Sequence, residues 1–200
     1  MSAVNVKGAS TDAWQAFKQL VTNPVAGLSS AFEGLGEGRA LGAGVVFGAV
    51  FALAMLFAAY RIMPMVRPHG VGGFIKAVLF AIVPFVTLGA ATMAARSIFG
   101  GSGALAHDAF VAGATLLPVA LVTILGALLG YGNFNITYLL LIFAVILSVL
   151  MLNAGLTRIA KVPERAAGFA VPLVVLVSGW LCKVIYAALI QSAISSYPGM

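Results

Sequence analysis

Five stretches of this chain stay apolar for the length of a membrane crossing, and its charged residues gather between them. The first runs from Ala40 to Tyr60, between Arg39 and Arg61. The second runs from Ala77 to Ala95, between Lys76 and Arg96. The third covers Ala109 to Leu129 after Asp108, and the fourth covers Phe134 to about Leu156 before Arg158. The fifth begins near Ala166, after Arg165, and ends near Ile190. A helix rising about 1.5 Å per residue needs about 20 residues to cross a hydrocarbon core of about 30 Å. Each run therefore predicts one spanning helix.

Ahead of the spans the pattern changes to short amphipathic stretches. Ser10 or Thr11 can cap a helix with Asp12 near its positive end. Trp14, Phe17 and Val21 then recur on one face, with Gln15 and Gln19 elsewhere. Asn23-Pro24 supplies a second cap, followed by proline at the first helical position. Val25, Leu28, Phe32 and Leu35 repeat the apolar stripe. Two short helices lying in the membrane interface are expected, with Trp14, Phe17 and Phe32 as anchors. The predicted plan is an all-α polytopic membrane protein: an interfacial segment over 1–39 and a five-helix transmembrane domain over 40–200.

Composition supports the membrane reading. Of 200 residues, 62% are hydrophobic and only 8% are charged, with a mean hydropathy of +1.11. A soluble domain carries about 25% charged residues, so this surface needs lipid as its solvent. The net charge of +6 does not signal nucleic acid, because the basic residues fall where topology determinants fall. Lys7, Lys18, Arg39, Arg96, Arg158, Lys161 and Arg165 lie on the N-terminal side, against Arg61, Arg67 and Lys76 on the other, seven to three. The N-terminus is expected in the cytoplasm and the C-terminus outside, although the basic "RIMPMVRPHG" connection runs against that rule. "GYGNFN" predicts a tight turn, and the glycine-rich "RSIFGGSGALAHD" predicts a mobile connection.

Inside a bilayer, small residues rather than burial bring helices together. Ala40, Gly44, Gly48 and Ala52 make a flat stripe on the first span, and Gly126 and Gly130 repeat the spacing on the third. Pro84, Pro118 and Pro172 each free a carbonyl within a span and predict kinks, with Thr87 and Thr115 as nearby donors.

Chemistry is sparse. The lone Cys182 excludes an internal disulfide and any multi-cysteine metal site. "GGSG" offers Ser102 in the GxSG pattern of intramembrane proteases, but Ser102 and His107 share one loop and His69 lies on the opposite side. All five acids, Asp12, Glu33, Glu37, Asp108 and Glu164, sit at or beyond span boundaries, which leaves a coupled transporter without its carboxylate. No catalytic residue, cofactor or metal is expected. Asn153 and Lys183 are the main polar groups inside spans. Lys183 either snorkels to the outer headgroups or, if Pro172 occupies the first turn of its helix, falls near the midplane and needs a partner.

The feature order carries a resemblance. The lead "DAWQAFKQLVTNPVAGLSSAFEGLG", the third span "FVAGATLLPVALV" and the passage "LMLNAGLTRIAKVPERAAGFAVPLVV" resemble the bacterial branch of the Yip superfamily, the Ypt/Rab-interacting membrane proteins, from about Trp14 to Leu189. The resemblance implies a five-span bundle in the bacterial inner membrane, with a cytoplasmic N-terminus and a short outer C-terminus. It implies lipid and other membrane proteins, or a second copy, as partners. The chain lacks the long acidic cytoplasmic region of the eukaryotic members, which counts against a small GTPase partner. It also lacks the cysteines of the zinc ribbon some bacterial relatives carry. The expected function is a non-enzymatic scaffold or accessory subunit, with a small channel, transporter or lipid-handling protein as the alternative.

Overall fold

A computed structural model describes residues 6–62, 70–130 and 134–194. Residues 131–133 of the "GYGNFN" turn and 63–69 of the basic "RIMPMVRPHG" connection, with Arg67 and His69, lie outside the described residues. The fold is an all-α bundle: α1 (Val6–Thr22), α2 (Ala26–Ile62), α3 (Gly70–Ile98), α4 (Leu105–Leu129), α5 (Phe134–Ala154) and α6 (Glu164–Ile194). A π-helical turn, Gly155–Ile159, extends α5. Five of these helices, α2 to α6, are long and apolar enough to cross a membrane, and the protein is a multi-pass helical membrane protein.

Helices α2 and α4 form the centre. The former packs against α1 on one side and α3 on another; α5 pairs with α4, and α6 leans mainly on α3. The α4–α5 pair is antiparallel, as Gly126 meets Thr137 at one end and Gly155 meets Val111 at the other.

The lead is part of the bundle: its apolar residues share a core with the spans, and the helix breaks at Gly36, close to the boundary expected at residue 39. Helix α1 starts at Val6, so Ser10 and Thr11 lie inside it rather than capping it. Ala13, Ala16 and Leu20, at i, i+3 and i+7, make its buried face, with Phe17 half-buried beside them. Trp14 and Val21 point away. Asn23 does cap the next helix: the Ala26 N–H donates to its side-chain oxygen at 3.1 Å. From there α2 continues through residue 40 into the first span, and Leu28, Ala31 and Leu35 share one core with Ala40, Ala43 and Phe47. The helix is interrupted at Gly36, whose φ of 69° and ψ of 164° suit a residue without a side chain. Such a break orphans carbonyls. Arg39 takes two of them, donating to Leu35 O at 2.9 Å and Gly34 O at 3.1 Å. It also reaches Asp12 on α1 at 3.4 Å.

Pro84, Pro118 and Pro172, the expected kink positions, lie inside α3, α4 and α6. Pro84 frees the carbonyl of Phe80, four residues back. The Tyr186 hydroxyl of α6 donates to that oxygen at 3.0 Å, and its ring stacks on Phe80 with centroids 3.7 Å apart. Thr87 instead bonds the Val83 carbonyl at 2.9 Å and touches Cys182 Sγ at 3.0 Å. The Thr115 hydroxyl has no hydrogen-bond partner among the described residues.

Candidate functional site

Polar chemistry concentrates at one end of the bundle, where α2 enters, α3 ends, α4 begins and α5 turns into α6. The small-residue seam holds this end together. Ala40, Gly44, Gly48 and Ala52 are all buried. A Cβ at Gly44 would lie 2.5 Å from the Ala109 carbonyl oxygen and 2.7 Å from Phe110 Cα, and one at Gly113 would strike the Gly44 carbonyl. The two backbones therefore touch. Gly48 faces the Phe85 ring of α3, with 2.7 Å available to a Cβ. Gly126 packs against Thr137, whereas Gly130 packs on nothing and terminates α4 with φ 70°. Gly113 escaped the sequence reading. Its signal was Ala109-x-x-x-Gly113, the same small-residue spacing on the opposing helix.

The connection at 99–104, expected to be mobile, is tied by its backbone to the end of the π-helical turn. The Ser102 N–H donates to Ala160 O at 2.9 Å, and Gly101 lies so close to that carbonyl that a Cβ would come within 2.5 Å. This anchoring folds Arg96 at the end of α3 onto Asp108 at the start of α4. The guanidinium Nε lies 3.1 Å from both carboxylate oxygens and Nη2 lies 2.9 Å from Oδ2. The Asp108 side chain is 1% exposed and that of Arg96 15%. Asp108 lies in the first turn of α4, at the span boundary, and is buried against a paired cation. Two charges 12 residues apart across a glycine-rich connection were the available signal. A buried carboxylate is tolerated only with such pairing.

His107 sits beside this pair. Its Nδ1 accepts the Ala104 N–H at 3.0 Å, which puts the ring proton of the neutral imidazole on Nε2. Nε2 faces Glu37 Oε1 at 3.6 Å. Phe32 covers the ring at 4.7 Å and meets Phe110 at 5.6 Å, so it packs inward rather than anchoring the lead in lipid. Trp14 remains on the outer face, 56% exposed, stacked on Phe17 and 5.5 Å from the Lys18 ammonium. Ser102 is exposed and its hydroxyl makes no bond to His107 among the described contacts.

Asn153 and Lys183 are not brought together. Lys183 is exposed on α6, 19 residues after Glu164 opens that helix. That is a rise of about 28 Å. Pro172 is the ninth residue of α6, not in its first turn. Asn153 borders a cavity of about 250 Å³, shared with Val25, Ala154, Thr157, Arg158, Glu164 and Ala167. A smaller cavity of about 180 Å³ is apolar and includes Phe17, Pro24, Pro118 and Met151.

No family model matches the chain, and neither a curated protein nor a solved structure matches it.

Proposed function

We propose that this protein is a non-enzymatic membrane scaffold or accessory subunit of the Yip-like kind, acting through helix contacts and its N-terminal lead, with that lead on the cytoplasmic side of a bacterial inner membrane. The supporting observation is the closed centre of the bundle. Gly44 and Gly113 bring α2 and α4 into backbone contact, which leaves no space between these two central helices at that level. The two cavities lie beside the α1–α2 connection instead, one bordered by Val25 and the other by Pro24. Meanwhile α6 turns Phe169, Leu176, Trp180 and Val184 outward, a face that lipid or a partner helix can cover at similar cost.

The test pairs reconstitution with crosslinking in intact membranes. A photo-crosslinker at Leu176 should give a discrete protein adduct, and liposomes carrying the purified protein should pass ions and small solutes no faster than empty ones. Protein-dependent flux would replace the scaffold with a channel or carrier. Reporters active only in the cytoplasm, fused to either end, should light at the N-terminus and stay dark at the C-terminus.

A further inference from the structure

The cavity at the α5–α6 elbow carries an inference that does not rest on the scaffold reading. Its wall contains one cation, Arg158, and one anion, Glu164, both exposed. They line the same space without pairing, since the ion pairs of the described residues are Arg39–Asp12, Arg96–Asp108 and the His107–Glu37 contact. Two opposite charges left apart in one recess can each take a charge of opposite sign from a single ligand.

The remaining wall is suited to the same task. The Thr157 hydroxyl donates its proton to Asn153 O at 2.8 Å, which leaves its oxygen free to accept. The Asn153 side chain offers both a donor and an acceptor. Ala154, Ala167 and Val25, the last from the α1–α2 connection, add apolar side chains to the lining. The volume is below the roughly 300–1,000 Å³ of drug-sized ligand sites, which limits the occupant to a small group.

The backbone here is also unusual. The turn Gly155–Ile159 is π-helical, a form that often marks functional positions. Two residues after it, Lys161 holds a positive φ of 53°, rare for a residue with a side chain. The wide turn places Thr157 and Arg158 together on the cavity side and lets Val162 N–H bond back to Leu156 O at 2.8 Å. Helices α5 and α6 touch each other sparingly, and both expose apolar residues, Ile146 and Leu150 on one and Phe169 and Leu173 on the other. A polar recess at the end of two apolar spans suits a headgroup whose acyl chains lie alongside them.

We propose that this cavity binds a zwitterionic phosphate ester that carries a cationic amine: Arg158 takes the phosphate in a two-pronged contact, and Glu164, with the Thr157 and Asn153 oxygens, takes the ammonium. The ester can come from a phosphatidylethanolamine headgroup or from a free phosphorylated amine. An anionic headgroup lacks the amine and would leave Glu164 facing like charge.

The test uses the full chain, delipidated in a mild maltoside and given equal phosphatidylethanolamine and phosphatidylglycerol of matched chains, with retained lipid read by native mass spectrometry. Wild type should retain phosphatidylethanolamine over phosphatidylglycerol by about fivefold or more, the scale of one ordinary net hydrogen bond. Glu164→Gln should bring that ratio close to one. Arg158→Gln should reduce both lipids about fivefold, and Arg158→Lys should fall between, keeping charge but losing the planar fork. Arg61→Gln, at the other end of the bundle, should change neither. Equal retention of the two lipids by wild type, or equal loss in Arg158→Gln and Arg61→Gln, would overturn the proposal. Soluble phosphoethanolamine separates the sources: displacement of the lipid at millimolar concentration assigns the site to a free zwitterion, and persistence of the lipid assigns it to the membrane. Both side chains are exposed, so the variants should stay monodisperse; should Arg158→Gln fail to, Arg158→Lys and Glu164→Gln still decide the matter.

Discussion

Helices α4 and α6 have similar hydropathy, 2.2 in each most apolar window, yet 56% of that window is buried within the bundle for α4 and 6% for α6. Apolarity does not separate them. What separates them is shape. Helix α4 offers Ala109 and Gly113 to the glycines of α2, and the backbones close to contact. Helix α6 enters the core near its start, through Ala170, Val171 and Val174, and is held to α3 further along by particular groups: the Tyr186 ring on Phe80, its hydroxyl on the carbonyl that Pro84 freed, and Cys182 against Thr87. In lipid an unburied leucine costs nothing, so a helix can stay peripheral without penalty. A central helix must be made central by fit and by polar groups that have nowhere else to go.

The comparison can be broken most severely at Asp108. Asp108→Ala leaves the Arg96 guanidinium with its carboxylate gone and should cost about 3–5 kcal/mol. Thermal unfolding in detergent would register it, and Arg96→Met with Asp108→Leu together should recover most of the loss. Wild-type stability in the single variant would show that the pair does not hold the α3–α4 connection.

The next effect is at the seam. Gly44→Leu and Gly113→Leu should each cost about 1–3 kcal/mol or more, because the added atoms meet backbone. Gly48→Ala should be milder than Gly44→Ala, since it meets the Phe85 ring rather than main chain. If Gly44→Ala and Gly48→Ala melt together, the close approach of α2 and α4 is not what ranks these positions.

Tyr186→Phe sharpens the other side of the comparison. It keeps the stack on Phe80 and removes one interhelical hydrogen bond, for about 0.6–1.7 kcal/mol. Restoring the Phe80 carbonyl's own partner through Pro84→Ala should make the Tyr186→Phe loss vanish, and a thermal double-mutant cycle measures it. An undiminished loss would mean the hydroxyl acts elsewhere.

The smallest effect is expected at Lys183. Exposed, about 28 Å along α6 and without an ion pair among the described residues, it should be replaceable by Leu with no change in stability or in associated proteins. Loss of a co-purifying protein from a folded Lys183→Leu variant would instead make it a contact.

Residue order alone determined the membrane class, the five crossings and the Asn23 cap. Each follows from a local rule: unbroken apolar length, or a side chain that reaches its own backbone. It also marked Gly44 and Gly48 as close-packing positions, because a repeat of small residues flattens a helix wherever it goes. Which helix would come against them was a tertiary matter, and so was the inward turn of Phe32, which depended on His107 and Phe110 arriving from α4. The lead's buried face, Ala13 and Ala16, lay outside the aromatic stripe read along the chain, and it shares a core with Leu28 and Ala31 of α2. Asp108 and Arg96 read as two boundary charges until the anchored connection at 99–104 folded one onto the other. The polar cavity likewise joins Val25 to Arg158 and Glu164, which only the packing of distant helix ends could bring to one place. Hydropathy and capping act over a few residues and can be read along the chain. Contact between charges, and between backbones, depends on how whole helices pack, and no stretch of sequence contains that.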